Sequence, residues 1–184
     1  MTRPRLTVVS GPTAVGKGTV VARMREDHPD VFVSVSATTR PPRLGETDGV
    51  HYLFVTNEEF DRLIEADALL EWAVVHGVHR YGTPREPVKQ ALADGREAIL
   101  EIDLQGARQV RQACPDARFV FLAPPSMAEL VRRLVGRGTE SEEQRERRLE
   151  TAQAEMAAQA EFDHVIVNRE IGQAADELVT LLGL

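Results

Sequence analysis

Apolar residues cluster in five short runs, at 6–9, 31–35, 98–102, 118–122 and 164–167, each of a length that suits one strand. Between them, apolar positions recur every three or four residues, which predicts helices over about 17–27, 86–93, 105–113, 127–135, 142–160 and 172–182. In the longest of these, Leu149, Ala152, Met156 and Ala160 share one face, so that stripe reads as core and not as a ligand surface. Ala123, Pro124 and Pro125 end a strand, because proline cannot continue a ladder. Strand and helix in alternation predict an α/β fold: a five-stranded parallel sheet with helices on both faces.

The rhythm breaks between about 36 and 83. A turn-rich stretch at 39–49 is followed by a run at 51–55, a short helix at 58–66 and a run at 69–75, which predicts antiparallel strands with one helix, inserted as a small subdomain. His76 and His79 fall in an expected turn. A second insertion, at 136–148, is helical, interrupted by glycine and rich in arginine. The expected organisation is one domain over 1–184: a core at about 1–35, 84–125 and 157–184, an insertion at 36–83 and a lid at 126–156.

Composition narrows the functional classes. A chain of 184 residues, 42% hydrophobic and 28% charged, has the make-up of a single globular unit. No apolar stretch approaches a membrane span, and the run after the basic start is too short for a signal-peptide core. The single cysteine, Cys114, rules out an internal disulfide and fits a reducing cytoplasm. His28, His51, His76, His79 and His164 lack metal-ligand spacing, save for the His76/His79 pair, read here as solvated. A net charge of −7 opposes binding of nucleic acid through a broad basic face. No obligate protein partner is evident. Any anion must therefore be handled where positive charge is concentrated locally.

The first such place is GPTAVGKGT, comprising Gly11, Pro12, Thr13, Ala14, Val15, Gly16, Lys17, Gly18 and Thr19, between a predicted strand and a predicted helix. That order lets successive backbone N–H groups wrap a phosphate while the positive end of the helix dipole faces it. Gly11 and Gly16 permit the turn and the close approach of the backbone. Lys17 places a cation at the β- and γ-phosphates. Gly18 stands where the usual loop has Ser or Thr as a direct Mg²⁺ ligand. The expectation is no direct protein ligand: Mg²⁺ is held through phosphate oxygens and water.

The second place is the stretch at 36–46, where Arg40 and Arg43 flank two prolines ahead of Glu46. The prolines stiffen the loop, and paired guanidinium forks suit a phosphate monoester. The third is the group Arg132, Arg133, Arg137, Arg145, Arg147 and Arg148. Its interleaved glutamates make solvated i,i+4 pairing the simple account of Arg145 and Arg147.

Together these segments resemble the guanylate kinase family, in its bacterial single-domain form, essentially end to end. The resemblance is carried by GPTAVGKGT, SATTRPPRLGETDGVHY at 36–52, LLEWA at 69–73, YGT at 81–83, ILEIDLQG at 99–106, FLAPPS at 121–126, RLVGRGTESEEQRERRL at 133–149 and VIVN at 165–168. The GKGT variant is itself shared by small nucleoside-monophosphate kinases with a phosphate-loop fold. The resemblance implies transfer of the γ-phosphoryl group of ATP to GMP, with dGMP as a further acceptor, giving GDP and ADP with Mg²⁺ as cofactor.

It also implies residue roles. Arg40, Arg43, Tyr52 and Tyr81 clamp the GMP phosphate, with Glu46 in the same loop, while Ser36, Glu71 and Thr83 read guanine. Asp103 makes a further contact close to the base and the metal-bound water. ATP is taken by the loop at 11–19 with Arg133 and Asn168; Arg137 and Arg148 join Lys17 and Arg40 in catalysis from the lid. The family often has an acidic residue after this asparagine, where this chain has Arg169. Chemistry supports the base assignment independently. Guanine offers an adjacent ring N–H and exocyclic NH₂ that a carboxylate accepts together, and adenine offers no such pair. An alternative reading, a catalytically silent guanylate-kinase-like module that binds proteins, is opposed by the presence of Lys17, Arg137 and Arg148. A kinase for another nucleotide is opposed by Ser36 with Glu71.

Overall fold

In a computed structural model, which describes residues 5–75, 77–135 and 142–184 without the side chains of 135 and 142–148, strand β1 (Leu6–Ser10) is buried at every position. The sequence explains this, since a central parallel strand is covered on both faces and carries no alternating polar side. Four more strands complete the parallel sheet: β2 (Phe32–Val33), β7 (Ala98–Glu101), β8 (Arg118–Ala123) and β9 (His164–Val167), in the order β2-β7-β1-β8-β9. β2 is shorter than the run at 31–35 suggests. It lies at the sheet edge, and the chain leaves it to enter β3 (Ala37–Thr38).

The chain separates into two units. The first contains Val31–Leu100 and Gln105–Ala117. Besides β2 it holds a four-stranded sheet in the order β4-β3-β6-β5, with β4 at Leu53–Phe54, β5 at Leu69–Val75 and β6 at His79–Pro84. Its small core is Ala37, Phe60 and Leu69, packed by Leu53, Val55, Leu63 and Ile64. Helix α2 (Asn57–Glu65) starts on a reciprocal cap in which Thr56 and Glu59 satisfy each other's backbone N–H groups. Helices α3 (Arg85–Ala93) and α4 (Leu104–Ala113) follow.

Two expectations for this unit need correction. β4 pairs with β3 in parallel, Ala37 opposite Leu53 and Thr38 opposite Phe54, so the inserted sheet is mixed and not antiparallel throughout. Residues 39–52 form the crossover that a parallel pair requires and a hairpin does not. His79 begins β6, antiparallel to β5, and does not lie in a turn. His76 lies outside the described residues.

The second unit, Thr7–Asp30, Glu101–Leu104 and Arg118–Leu184, holds β1, β8 and β9 with α1 (Lys17–Asp27), α5 (Met127–Val135), α6 (Glu142–Ala157) and α7 (Ile171–Leu182). Leu149, Ala152 and Met156 pack on Leu130 and Leu134, as the stripe predicts. Ala160 does not join them. α6 ends at Ala157 and a tighter 3₁₀ turn, Ala158–Glu161, shifts the register so that Ala158 is buried and Ala160 is exposed. Residues 136–141 of the predicted second insertion, including Arg137, lie outside the described residues, as does the side chain of Arg148.

Candidate active site

The loop between β1 and α1 follows the carboxyl end of a parallel strand, where open α/β sheets place their ligands. Gly11 has φ 149°, and a Cβ there would stand 2.2 Å from the Leu122 carbonyl oxygen. Gly16, at φ 95°, precedes α1 in the left-handed region. No L side chain fits both conditions at Gly11, so its identity is steric. The first turn of α1 carries no acidic residue, which leaves its positive end open to an anion.

Lys17 is half-buried, and its ammonium donates to the carbonyls of Gly11 at 2.7 Å and Pro12 at 3.3 Å. Burial pushes its pKa down, while Glu101, Glu155 and Asp103 pull it back up. Burial conversely raises Glu101, opposed by Lys17. It raises Glu155 too, opposed by the Thr13 N–H and Lys17 and reinforced by Asp103. The Thr13 amide donates to Glu155 Oε2 at 3.1 Å. Asp103 thus belongs to the electrostatic surroundings of Lys17. Sequence reasoning missed Glu101 and Glu155. Glu101 had a signal, as a carboxylate at the carboxyl end of a parallel strand; Glu155, one position before core residue Met156, had none.

Asn168, following β9, is buried and donates its side-chain amide to the Val15 carbonyl at 2.8 Å. Arg133 donates to the same carbonyl at 3.2 Å and to Glu129 at 2.9 Å. Both side chains thus hold the loop from outside. Beside them lies a cavity of about 460 Å³ lined by Gly16, Thr19, Arg133, Asn168, Arg169 and Ile171, among others. Its size suits a nucleobase with its sugar.

The first unit gathers the other predicted residues. Arg40, at 8% exposure, extends a full set of donors: both terminal nitrogens to the Glu46 carboxylate at 2.9 and 2.8 Å, and Nε to the Tyr81 hydroxyl at 3.0 Å. One terminal nitrogen also reaches the Pro41 carbonyl. Its guanidinium lies 5.3 Å from the Tyr52 ring centroid, and Tyr52 stands edge-on to Tyr81. The Arg43 amide donates to Glu46 at 2.7 Å, while the Arg43 side chain is exposed. Glu46 is therefore the counter-ion that shapes this loop, and Arg40 with the Arg43 amide holds its carboxyl down at about 2.

A depressed carboxylate contributes stability above its unfolded value and loses it as pH falls through the folded one. Glu46→Gln is thus expected to cost about 1 kcal/mol at neutral pH, the pair being partly solvated. The gap from wild type should close between the ordinary 4.5 and about 2. Urea midpoints of both proteins across that range check it; a gap that stays constant would mean that Glu46 contributes by packing alone.

Glu71 and Thr83 lie opposite each other on β5 and β6, and both are buried. The Thr83 hydroxyl donates to Glu71 Oε1 at 2.6 Å. A break in register between Leu69 and Glu71 re-aims the strand at this point. Ser36, half-buried, immediately precedes β3 in the same sheet, and its carbonyl accepts from the Leu53 amide.

A glycine-rich turn closing on a half-buried lysine, between a parallel strand and a helix, defines a phosphate-loop nucleotide-binding α/β protein. The guanylate kinase family model matches residues 3–183. Guanylate kinase of Frankia casuarinae is 62% identical over 177 residues, 96% of either chain. That of Leifsonia xyli subsp. xyli is 61% identical over 180 residues, 98% of this chain and 71% of its own. The crystal structure of guanylate kinase from Anaplasma phagocytophilum, 33% identical, superimposes with a TM-score of 0.82 over 100% of this chain and 86% of that one. The chain belongs to the guanylate kinase family.

Proposed function

We propose that the chain transfers the γ-phosphoryl group of ATP to GMP, and to dGMP, giving GDP and ADP. The observation that carries this reading is one sheet that holds both a buried carboxylate–hydroxyl pair, Glu71 with Thr83, and the Arg40–Tyr81 cluster. The first suits the paired donors of guanine, the second a phosphate monoester. The acceptor phosphate has a second pKa of about 6 and is already a nucleophile at neutral pH, so no general base is needed. The remaining task is charge compensation, which falls to Lys17 at the ATP phosphates and Arg40 at the acceptor. In this reading Arg43, Tyr52 and Tyr81 complete the GMP phosphate clamp, Ser36 joins the base readers, and Arg133 and Asn168 serve the ATP side. Arg137 and Arg148 act from the lid, at 126–156, with the GMP-binding insertion at 36–83.

The residues present suit Mg²⁺. Glu101 and Asp103 offer hard oxygen donors in the field of Lys17, and a Cβ on Gly18 would stand 3.3 Å from Glu101 Oε1. When bound, Mg²⁺ supplies positive charge to the phosphate oxygens. Glu101 and Asp103 would hold it through its waters. Gly18 lies inside α1 without a left-handed φ, so serine is conformationally allowed there. Gly18→Ser should displace the Glu101 carboxylate by a few tenths of an ångström and donate to it. The expected result is a change of about two- to fivefold in the Mg²⁺ concentration for half-maximal rate. A Mg²⁺ titration of kcat reads it, and complete inactivation would show that this position must stay bare.

A coupled assay with ATP and, in turn, GMP, dGMP, AMP, CMP and UMP tests the function as a whole. GMP should lead, and a protein that turns over none of them would be a binding module. Among the described residues no helix is long and apolar enough to cross a membrane. The reading places the enzyme in the cytoplasm with its nucleotide substrates, and it invokes neither nucleic acid nor an obligate protein partner.

A further inference from the structure

The phosphate loop already holds an anion from its own chain. Thr13 and Glu155 are separated by 142 positions in sequence, yet the Thr13 amide donates to the Glu155 carboxylate at 3.1 Å. Nothing local dictates that contact. Glu155 is carried by α6, whose Leu149, Ala152 and Met156 are packed against Leu130 and Leu134 of α5. It also lies in the field of Lys17, each favouring the charged form of the other. Lys17, for its part, is turned onto the loop's own carbonyls at Gly11 and Pro12. Two groups suited to binding phosphate, an amide and an ammonium, are thus occupied within the chain.

A single N–H serves one strong acceptor, and a carboxylate and a triphosphate repel each other in a partly dry site. We propose that Glu155 is an internal competitor for the phosphate loop: its carboxylate holds the Thr13 amide until the phosphates of ATP displace it, and it thereby sets how tightly ATP binds. The displacement is feasible because ATP brings several charges against one. It also frees Lys17 to exchange two backbone carbonyls for phosphate oxygens. Burial, which already disfavours the ionised Glu155, lowers the cost of its release to solvent. A ligand with a single phosphate gains less from the loop than ATP and faces the same competitor, so the carboxylate also keeps weakly charged anions off the loop. The inference rests on the assignment of the loop to the ATP phosphates.

Glu155→Gln tests it, since glutamine keeps the shape and an acceptor for Thr13 while losing the charge. Calorimetric titration with MgATP should give a Kd about tenfold lower than wild type, well short of the roughly 10³-fold that a full charge contact at an effective dielectric constant of about 20 would give, because the released Glu155 carboxylate regains its solvation. Inorganic phosphate, the second probe, should likewise bind more tightly to the variant. A Kd for MgATP that is unchanged overturns the proposal. One that rises overturns it too, and points to Glu155 acting on the bound nucleotide. A purely structural role would lower the melting temperature without tightening either ligand. On the wild-type protein, the Thr13 amide resonance should shift on addition of MgATP while Glu155 loses its contact; a Thr13–Glu155 pair preserved in the complex also overturns the competition. Lys17→Met, titrated alongside, separates the two levels of the argument. If it leaves both ATP affinity and kcat intact, the loop assignment fails; if it weakens either while Glu155→Gln changes nothing, only the competitor fails.

Discussion

Lys17→Met should leave a folded protein whose kcat is lower by about 10³-fold or more. Methionine matches the length of the lysine stem and brings no charge into a site where burial already disfavours the ammonium. The carboxylates of Glu101, Glu155 and Asp103 lose their shared cation. Glu101 and Glu155, already raised by burial, can adjust by taking up protons. The thermal midpoint should therefore move little. Catalysis has no such remedy. Charge spreads over the transferring phosphoryl only in the transition state, and a preorganised cation in a dry site acts on that state more than on bound ATP. Steady-state kinetics at saturating ATP and GMP, with a melting curve on the same preparation, would decide it. A kcat close to wild type would exclude the loop from the chemistry.

Where a segment carries its own signal, sequence and structure agree closely. α1 begins at Lys17 because the glycine-rich loop and the apolar stripe both point there, and α5 and β5 begin and end where their apolar runs do. β6 escaped because His79–Pro84 has no apolar alternation and closes on proline; it is a strand because Arg80, Tyr81 and Thr83 find partners across β5 and β3. The parallel pairing of β3 and β4 was equally hidden, since two-residue strands leave no trace of direction. The same division holds at the site. Lys17, Arg40 and Glu71 stand in recognisable local patterns. That Glu46 fills the Arg40 fork, and Glu155 the Thr13 amide, is settled by tertiary packing, and no spacing in the chain announces either.

Glu71→Gln should lower kcat/KM for GMP by about 2–4 kcal/mol, roughly 30- to 1,000-fold, and leave the KM for ATP almost unchanged. The carboxylate of Glu71 is buried and already accepts the Thr83 hydroxyl at Oε1. Ionised, it can accept from Thr83 and still face the two donors of guanine. A glutamine cannot meet all of these demands. If its carbonyl stays with Thr83, its NH₂ opposes the donors of the base. If it flips, Thr83 must reverse its hydroxyl to accept, and the base keeps one acceptor in place of a charge. Either arrangement leaves a donor unpaired in a dry site, and the penalty falls on guanine specifically. AMP, which brings no such donor pair, should gain relative to GMP even while its absolute rate stays low. Thr83→Val should reproduce part of the loss, because it removes the hydroxyl that orients Glu71 without touching its charge. Parallel kinetics with GMP and AMP separate the possibilities. If the preference for GMP over AMP survives Glu71→Gln, Glu71 does not read the base, and the acceptor must be recognised by its phosphate and by groups on the sheet other than the Glu71–Thr83 pair.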